Sequence, residues 1–461
     1  MGNHTFNELR SKYKTFIYEG FTAQKEDDAI NITYNFKIEN LCEFHPTLKV
    51  NTANMDVINP WNEGAGYEII FSMGLVELVS YWKSACCPKV RIECGALSEE
   101  DKLWWKKLYF NGLGEFFYRN SIETDFDSFM EIECAERKTN TPFNIKTAGL
   151  NLIPVGGGKD SNVTLELLSD LKKQNRCYMI NPGGARSRSA ACAGYGEDEI
   201  FFVKRTIDRE LLELNRQGFL NGHTPFSAVV AFSALYCAYL SGGEYIILSN
   251  ESSANEANIS GTEINHQYSK SYEFEQDFRD YVKRNITDKI YYFSLLRPFS
   301  ELQIAKMFTK SEKYFDVFQS CNLGSKTDVW CADCPKCLFV YSILSPFIES
   351  KRLAGIFGRD MLDAEDMTET FKGLVGLSPV KPFECVGTVS EIVYALSLTA
   401  EKYKKEGLKF PVLLKYFSEN FRTCEIAGGE SMLGEINDEH AVPEKFKKYI
   451  TEMYNYVSAS N

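Results

Sequence analysis

Six consecutive residues carry the sharpest chemical signal in the chain: Gly156, Gly157, Gly158, Lys159, Asp160 and Ser161. They lie between an apolar run at 150–155 and a helical pattern with Val163, Leu167 and Leu171 on one face. Glycines at a strand-to-helix turn let backbone N–H groups point inward, and a helix N-terminus adds partial positive charge. The segment therefore reads as a phosphate cradle. Ser161 can donate to a phosphate oxygen. Asp160 cannot face phosphate directly and would act through Mg²⁺. The loop is not a Walker A loop, because Lys159 is followed by Asp rather than Ser or Thr. It also lacks the dinucleotide fingerprint. The plain alternative is a glycine-rich turn whose Asp or Ser caps the helix. A second loop, NPGGARSRS at 181–189, follows another strand pattern. Arg186 and Arg188 there can reach phosphates or form a solvated basic turn.

Cys321, Cys331, Cys334 and Cys337 form the second signal. Two C-x-x-C steps share Cys334, and Cys321 supplies a fourth thiolate. Four sulfurs at this spacing suit tetrahedral Zn²⁺, and a site filled by four protein ligands is structural. Free core cysteines and an iron–sulfur cluster are the alternatives, although no iron–sulfur spacing is matched closely. A third group follows the strand pattern at 244–250: Glu251, Glu263, His266 and Lys270. Polar residues crowded after a strand suggest a binding surface. His223 joins them as a candidate, against the plain reading of structural or solvated histidines.

These residues need a frame. From 149 onward, strand patterns at 150–155, 177–181, 200–203, 244–250 and 289–296 alternate with helical ones. Those include 226–240 and 300–308, the latter capped by Ser300. Such alternation argues for an α/β fold with a doubly wound parallel sheet and helices on both faces. Residues 1–145 read as a mixed α+β domain, with a strand at 30–39, a helix at 67–82, a strand at 90–94 and a short helix at 102–109. Its boundary falls at 138–141. Residues 146–345 form the central domain with the cysteine cluster. Residues 346–461 read as mostly helical, with patterns at 389–400 and 442–456.

Composition narrows the classes. The 461 residues are 44% hydrophobic and 25% charged, ordinary for a soluble globular chain. A net charge of -12 argues against a nonspecific nucleic-acid binder. The longest apolar stretch, 224–240, holds Pro225, Ser227 and Ser233 and is shorter than a bilayer span, so a buried helix and no membrane partner are expected. Residues 1–10 lack the apolar core of a signal peptide, and the 14 cysteines look unlike a disulfide scaffold. A cytoplasmic protein is expected. The sequence does not set the oligomeric state.

GGGKDS resembles the PP-loop of the ATP pyrophosphatases, whose usual form is SGGxDS, with Gly156 standing where Ser is common. That resemblance implies ATP as the nucleotide, held by Gly156, Gly157, Gly158, Asp160, Ser161 and Arg186, and cleaved to AMP and pyrophosphate. The cysteine arrangement resembles the zinc site of 7-cyano-7-deazaguanine synthase. More of the chain resembles one family, the ATP-dependent UDP-N-acetylmuramoyl-L-alanyl-L-glutamate epimerases of bacterial peptidoglycan synthesis. The segments are GLVELVSYWK (74–83), GLGEFFYRNSI (112–122), GGGKDS, GHTPFSA (222–228), NESSAN through NHQYSKSYEFE, WCADCPKCLFVY (330–341) and KPFECVGT (381–388). This resemblance implies a PP-loop (adenine nucleotide alpha hydrolase-like) core, ATP and Mg²⁺, and a UDP-linked muramoyl dipeptide as substrate. Epimerisation needs two proton-transfer groups on opposite faces of the carbon. Cofactor-free glutamate racemases use cysteines, which singles out Cys385. His266, Lys159 and Lys270 are the other candidates, beside Asp160 at the nucleotide. The competing reading is another PP-loop adenylating enzyme, of the deazaguanine synthase or tRNA-modifying kind.

Overall fold

The computed structural model describes residues 4–137, 141–255, 268–321, 323–324, 327–378, 381–382, 384, 386–421 and 432–459. The expected boundary at 138–141 falls mostly outside them. Among the described residues, eleven strands form one mixed sheet. They are β1 (Thr15–Glu26), β2 (Ala29–Ile38), β3 (Cys42–Phe44), β4 (Thr47–Asn51), β5 (Lys89–Leu97), β6 (Glu131–Glu136), β7 (Leu150–Pro154), β8 (Asn175–Ile180), β9 (Ile200–Thr206), β10 (Gly243–Leu248) and β11 (Tyr291–Ser294). Their order is β11-β10-β7-β8-β9-β4-β2-β1-β5-β6, with β3 on β2.

The five strands from β11 to β9 are mutually parallel. Their apolar runs are continuous because both faces are covered. In β8, Cys177 and Met179 enter one core while Tyr178 and Ile180 enter the other. In β10, Ile247 parts from Ile246 and Leu248 in the same way, and in β11 Phe293 parts from Tyr292. Helices Lys159–Leu167, Glu301–Phe308 and Pro335–Leu344 cover one face, together with the helices of the C-terminal part. Helices Ala65–Trp82 and Phe226–Ser241 cover the other. The second of these is buried on nearly all sides, which accounts for its apolar composition. Among the described residues, no helix is long and apolar enough to cross a membrane.

Within the parallel block the chain begins at β7, builds outward to β9, then returns to add β10 and β11 on the other side of β7. The direction of winding reverses between β7 and β10. Open α/β sheets bind ligands outside the strand C-termini at such a reversal.

The expected parallel sheet is thus present as a block, and the whole sheet is mixed. β4 pairs antiparallel with β9, placing Val50 opposite Val203, so the sheet continues into the N-terminal part. β1 has no counterpart among the sequence expectations. It is buried over its first four residues and mostly exposed beyond Gly20, where the register with β2 shifts, so no single alternation runs through it. The 181–189 segment, read as a loop, turns helical at Gly184–Cys192. Gly74 lets helix Ala65–Trp82 press onto the sheet, since a Cβ there would collide with the Tyr18 phenol and lie 2.8 Å from the Tyr34 ring.

One buried ion pair fastens that helix to β9. The Arg205 guanidinium donates to both Glu77 carboxylate oxygens at 2.7 and 2.8 Å, and the Glu77 side chain is 1% exposed. Removing one partner strands the other charge. Glu77→Ala is expected to destabilise the fold by about 3–5 kcal/mol, whereas Glu77→Leu combined with Arg205→Met recovers most of it. Thermal melting of the three proteins checks this; equal losses in single and double variants would refute the assignment.

Candidate functional site

A cavity of about 430 Å³ opens where the winding reverses. Gly156, Gly158, Asp160 and Ser161 follow β7 on one wall, and Asn181 and Arg186 follow β8 on the next. Ser249, Asn250 and Glu251 follow β10 opposite, and Phe226, Lys270, Ser320 and Lys336 are also in the lining. Gly157 is turned away from the cavity lining. Its φ is +82°, and a Cβ there would lie 2.7 Å from the Arg186 nitrogen, so this glycine permits the two loops to touch. No side chain caps the N-terminus of helix Lys159–Leu167. The Ser161 hydroxyl donates to the Gly158 carbonyl at 3.1 Å, and the Gln319 N–H donates to the Gly157 carbonyl at 2.8 Å.

Behind the loop lies a charge cluster. The Lys159 ammonium, 2% exposed, donates to the carboxylates of both Asp160 and Glu301. Burial opposes its charge, but the two carboxylates outweigh burial and hold it above its ordinary range. Lys159 is therefore a fixed cation, not a base. Burial also pushes Asp160 up, yet Lys159, with Lys336 and Lys270 beyond, keeps that carboxyl below its usual value. Glu301 goes the other way: burial outweighs Lys159, Asp160 and Glu251 add repulsion, and its carboxyl is pushed up to about 7. A buried and a half-buried carboxylate sharing one ammonium leave an excess negative charge, and the more deeply buried one, Glu301, resists carrying it.

Two further residues brace this arrangement. Glu391 accepts from the Thr388 N–H at 2.6 Å, capping its own helix Val389–Lys405. Its other oxygen accepts from the Glu301 N–H and the Ser253 hydroxyl, both at 2.7 Å. One carboxylate thus joins two helix starts and the segment after β10. Arg297 is fully buried and donates to the carbonyls of Glu251 and Lys270, each at 2.6 Å, and to Glu275 at 3.2 Å. It fixes the backbone of two cavity residues from below.

The four cysteines of the cluster come together, their sulfurs all within 4.8 Å of one another. Backbone N–H groups already point at them: Gly324 to Cys321 at 3.0 Å, Cys331 to Cys321 at 3.4 Å and Cys337 to Cys334 at 3.4 Å. The Cys337 thiol and its N–H lower the Cys334 thiol from its ordinary range, against burial. Four convergent sulfurs with N–H support fit a structural Zn²⁺, which they would enclose completely.

The structure thus gathers Gly156, Gly158, Asp160, Ser161, Arg186, Glu251 and Lys270 at one cavity and the four cysteines at one point. Arg186 fits an anionic ligand there: its Nε is buried without a hydrogen-bond partner. Arg188 does not share that role. It pairs with Asp328, which also accepts from the Ala185 N–H at 3.1 Å, and so ties the second loop to the segment before Cys331. His223 stands 3.8 Å from Glu115, away from the cavity lining. His266, Glu263 and Cys385 lie outside the described residues. Sequence reasoning missed Glu301, Glu391 and Lys336. Glu301 looks like an ordinary first-turn acid after the Ser300 cap, Glu391 like half of a capping box, and Lys336 like filler between two cysteines.

The family model for the MurL N-terminal domain matches residues 7–295, and that for the MurL C-terminal domain matches residues 317–423. The UDP-N-acetyl-alpha-D-muramoyl-L-alanyl-L-glutamate epimerase of Xanthomonas oryzae pv. oryzae is 35% identical over 349 residues, covering 74% of this chain and 76% of its own. The proteins of the same name from Salinispora tropica and a Micromonospora species are 37% and 36% identical, each over 70% of this chain. No solved structure matches the chain.

Purified protein is expected to carry about one zinc per chain, because the four sulfurs leave no coordination position open. Cys334→Ser should lower both the zinc content and the melting temperature, as metal binding is linked to folding. Elemental analysis beside a melting curve measures both. A metal-free preparation with an unchanged melting temperature would reduce the cluster to ordinary core thiols.

Proposed function

Because the chain belongs to the MurL family, we propose that it epimerises the terminal L-glutamate of UDP-N-acetylmuramoyl-L-alanyl-L-glutamate to the D form. The proposed reaction uses ATP to form an acyl-adenylate and releases AMP and pyrophosphate, as a cytoplasmic step of peptidoglycan precursor synthesis. The observation that carries the reading is the uncapped glycine loop at the winding reversal, in a chain whose relatives, matched over seven-tenths of its length, bear that epimerase name. The order of the parallel strands, starting at the loop strand and reversing beside it, supports a PP-loop core.

The chemistry explains the need for ATP. A carboxylate resists gaining a second negative charge, so the α-proton of glutamate is a very weak acid. Adenylation removes the carboxylate charge and makes the carbonyl electron-withdrawing. A side-chain base can then take the proton, and an acid can return one on the other face. In this reading the backbone N–H groups of 156–160 hold phosphate oxygens, and Arg186 adds charge from the neighbouring loop. Asp160 and Glu251 are the carboxylates at the cavity wall suited to Mg²⁺, which when bound offsets the charge of the triphosphate. Lys159 holds Asp160 in place.

Residues 146–345 would handle the nucleotide, leaving 1–145 and 346–461 to grip the long UDP-linked substrate. Cys385 is the proposed proton-transfer group, with His266 and Lys270 as the other candidates. Lys270 lines the cavity.

Incubation with ATP, Mg²⁺ and the L-glutamyl substrate should yield D-glutamate on hydrolysis of the product, together with AMP. In D₂O the product should carry deuterium at the glutamate α-carbon, and an ATP analogue uncleavable between the α and β phosphates should block that uptake. Label uptake without a cleavable nucleotide would refute activation by adenylation, and ADP as product would point to an acyl phosphate instead.

Asp160→Ala should remove pyrophosphate release while the protein stays folded, because Glu301 still pairs with Lys159. Normal release from that variant would end the assignment of Asp160. Ser161→Ala should be milder, since backbone donors remain beside it.

A further inference from the structure

The cysteine cluster has a second face. Lys336 lies between Cys334 and Cys337 in helix Pro335–Leu344, and its side chain lines the cavity with Gly158, Ser161 and Ser320. Its backbone is pinned on both sides. Cys334 accepts from the Cys337 N–H, and Glu384 accepts from the N–H of Lys336 itself at 2.9 Å. Its ammonium stands 5.0 Å from the centre of the Phe339 ring. That charge reaches the loop: it acts on both Asp160 and Glu301. A lysine on a metal knuckle turned toward bulk solvent would act on neither.

The loop needs such a charge. A lysine within a phosphate-binding loop ordinarily supplies the cation for the phosphates. Here Lys159 is buried and committed to two carboxylates, so it cannot reach across to a ligand in the cavity. A triphosphate at Gly158 and Ser161 would meet the two lysines of the lining, Lys270 and Lys336, and Lys336 is the one carried there by the cysteine cluster.

We propose that Lys336 contacts the β,γ-phosphates of the bound nucleotide, the part released as pyrophosphate, and that the four-cysteine cluster serves the reaction by holding this lysine over the loop. The inference rests on the nucleotide reading of the cavity given above. It assigns the cluster's fold-stabilising bonds a consequence at the reacting phosphates. The phosphate group rather than the substrate carboxylate is the partner, because Lys336 lines the cavity together with Gly158, Ser161 and Ser320, beside the uncapped helix start.

The test uses the full-length zinc-loaded protein with Lys336→Met, which keeps the aliphatic stem on Phe339, and Lys336→Arg, which keeps the charge. ATP, inorganic pyrophosphate, AMP and the UDP-muramoyl dipeptide are titrated separately by calorimetry, with zinc content and melting temperature measured alongside. In Lys336→Met, ATP and pyrophosphate should bind about tenfold more weakly or worse, the loss of one charge-assisted contact. AMP and the dipeptide should bind as before, and zinc content and melting temperature should not change. Lys336→Arg should recover part of the pyrophosphate affinity. Weakening of AMP to the same degree as ATP, weakening confined to the dipeptide, or loss of zinc in the Met variant would each overturn the assignment. Wild type and Lys336→Met binding ATP and pyrophosphate equally well would refute the role of Lys336 alone. Wild type binding neither would instead refute the nucleotide reading and this inference with it.

Discussion

A single buried ammonium organises the candidate site. Lys159 sits beneath its own loop with Asp160 on one side and Glu301, from a helix 142 residues later, on the other. The charge cannot leave, because burial has removed water as an alternative partner. Each carboxylate is therefore held to a position set by the other. A buried ion pair contributes little net stability over an apolar contact, but losing one member of it is costly. Its effect here is geometric. It sets the loop after β7 against the start of Glu301–Phe308, and Glu391 passes the same constraint on to the C-terminal helices by accepting from the Glu301 N–H.

The sheet makes this cluster possible. Only where both faces of the parallel strands are covered can a loop and two helix starts meet away from water. The two cores, divided residue by residue along β8, β10 and β11, supply that cover. The N-terminal strands extend the sheet past β9, and the Glu77–Arg205 pair ties a helix of that part to the block. Polar fastenings thus stand at both ends of the frame: Glu77–Arg205 at the junction with the N-terminal strands, and Arg297 beneath Glu251 and Lys270 at the cavity.

Lys159 and Lys336 lie far apart in the sequence, yet both act on Asp160. Lys159, inside the motif, is held by Asp160 and the buried Glu301. Lys336, inside the cysteine motif, lines the cavity. The position of a lysine relative to a motif therefore did not decide its role; its partners in space did.

Much was legible from residues alone where the signal is local. The strand-to-helix turn at 156–161, the parallel strand–helix alternation after 149, the Ser300 cap and the convergence of Cys321, Cys331, Cys334 and Cys337 all follow from spacing, because backbone conformation and metal geometry act over a few residues. The N-terminal strand β1 did not, since its burial changes along its length at Gly20. Neither did Arg188, which spacing placed with Arg186 but which Asp328 captures from 140 residues away. Glu301 and Glu391 carry helix-start chemistry that any exposed helix would show. Only packing makes them buried, and burial alone changes a carboxylate from a surface charge into a group that must be paired. The sequence determined which segments could fold locally and which side chains could ligate. The tertiary structure decided which charges lost their water, and desolvation is a property of the whole fold that no window of residues contains.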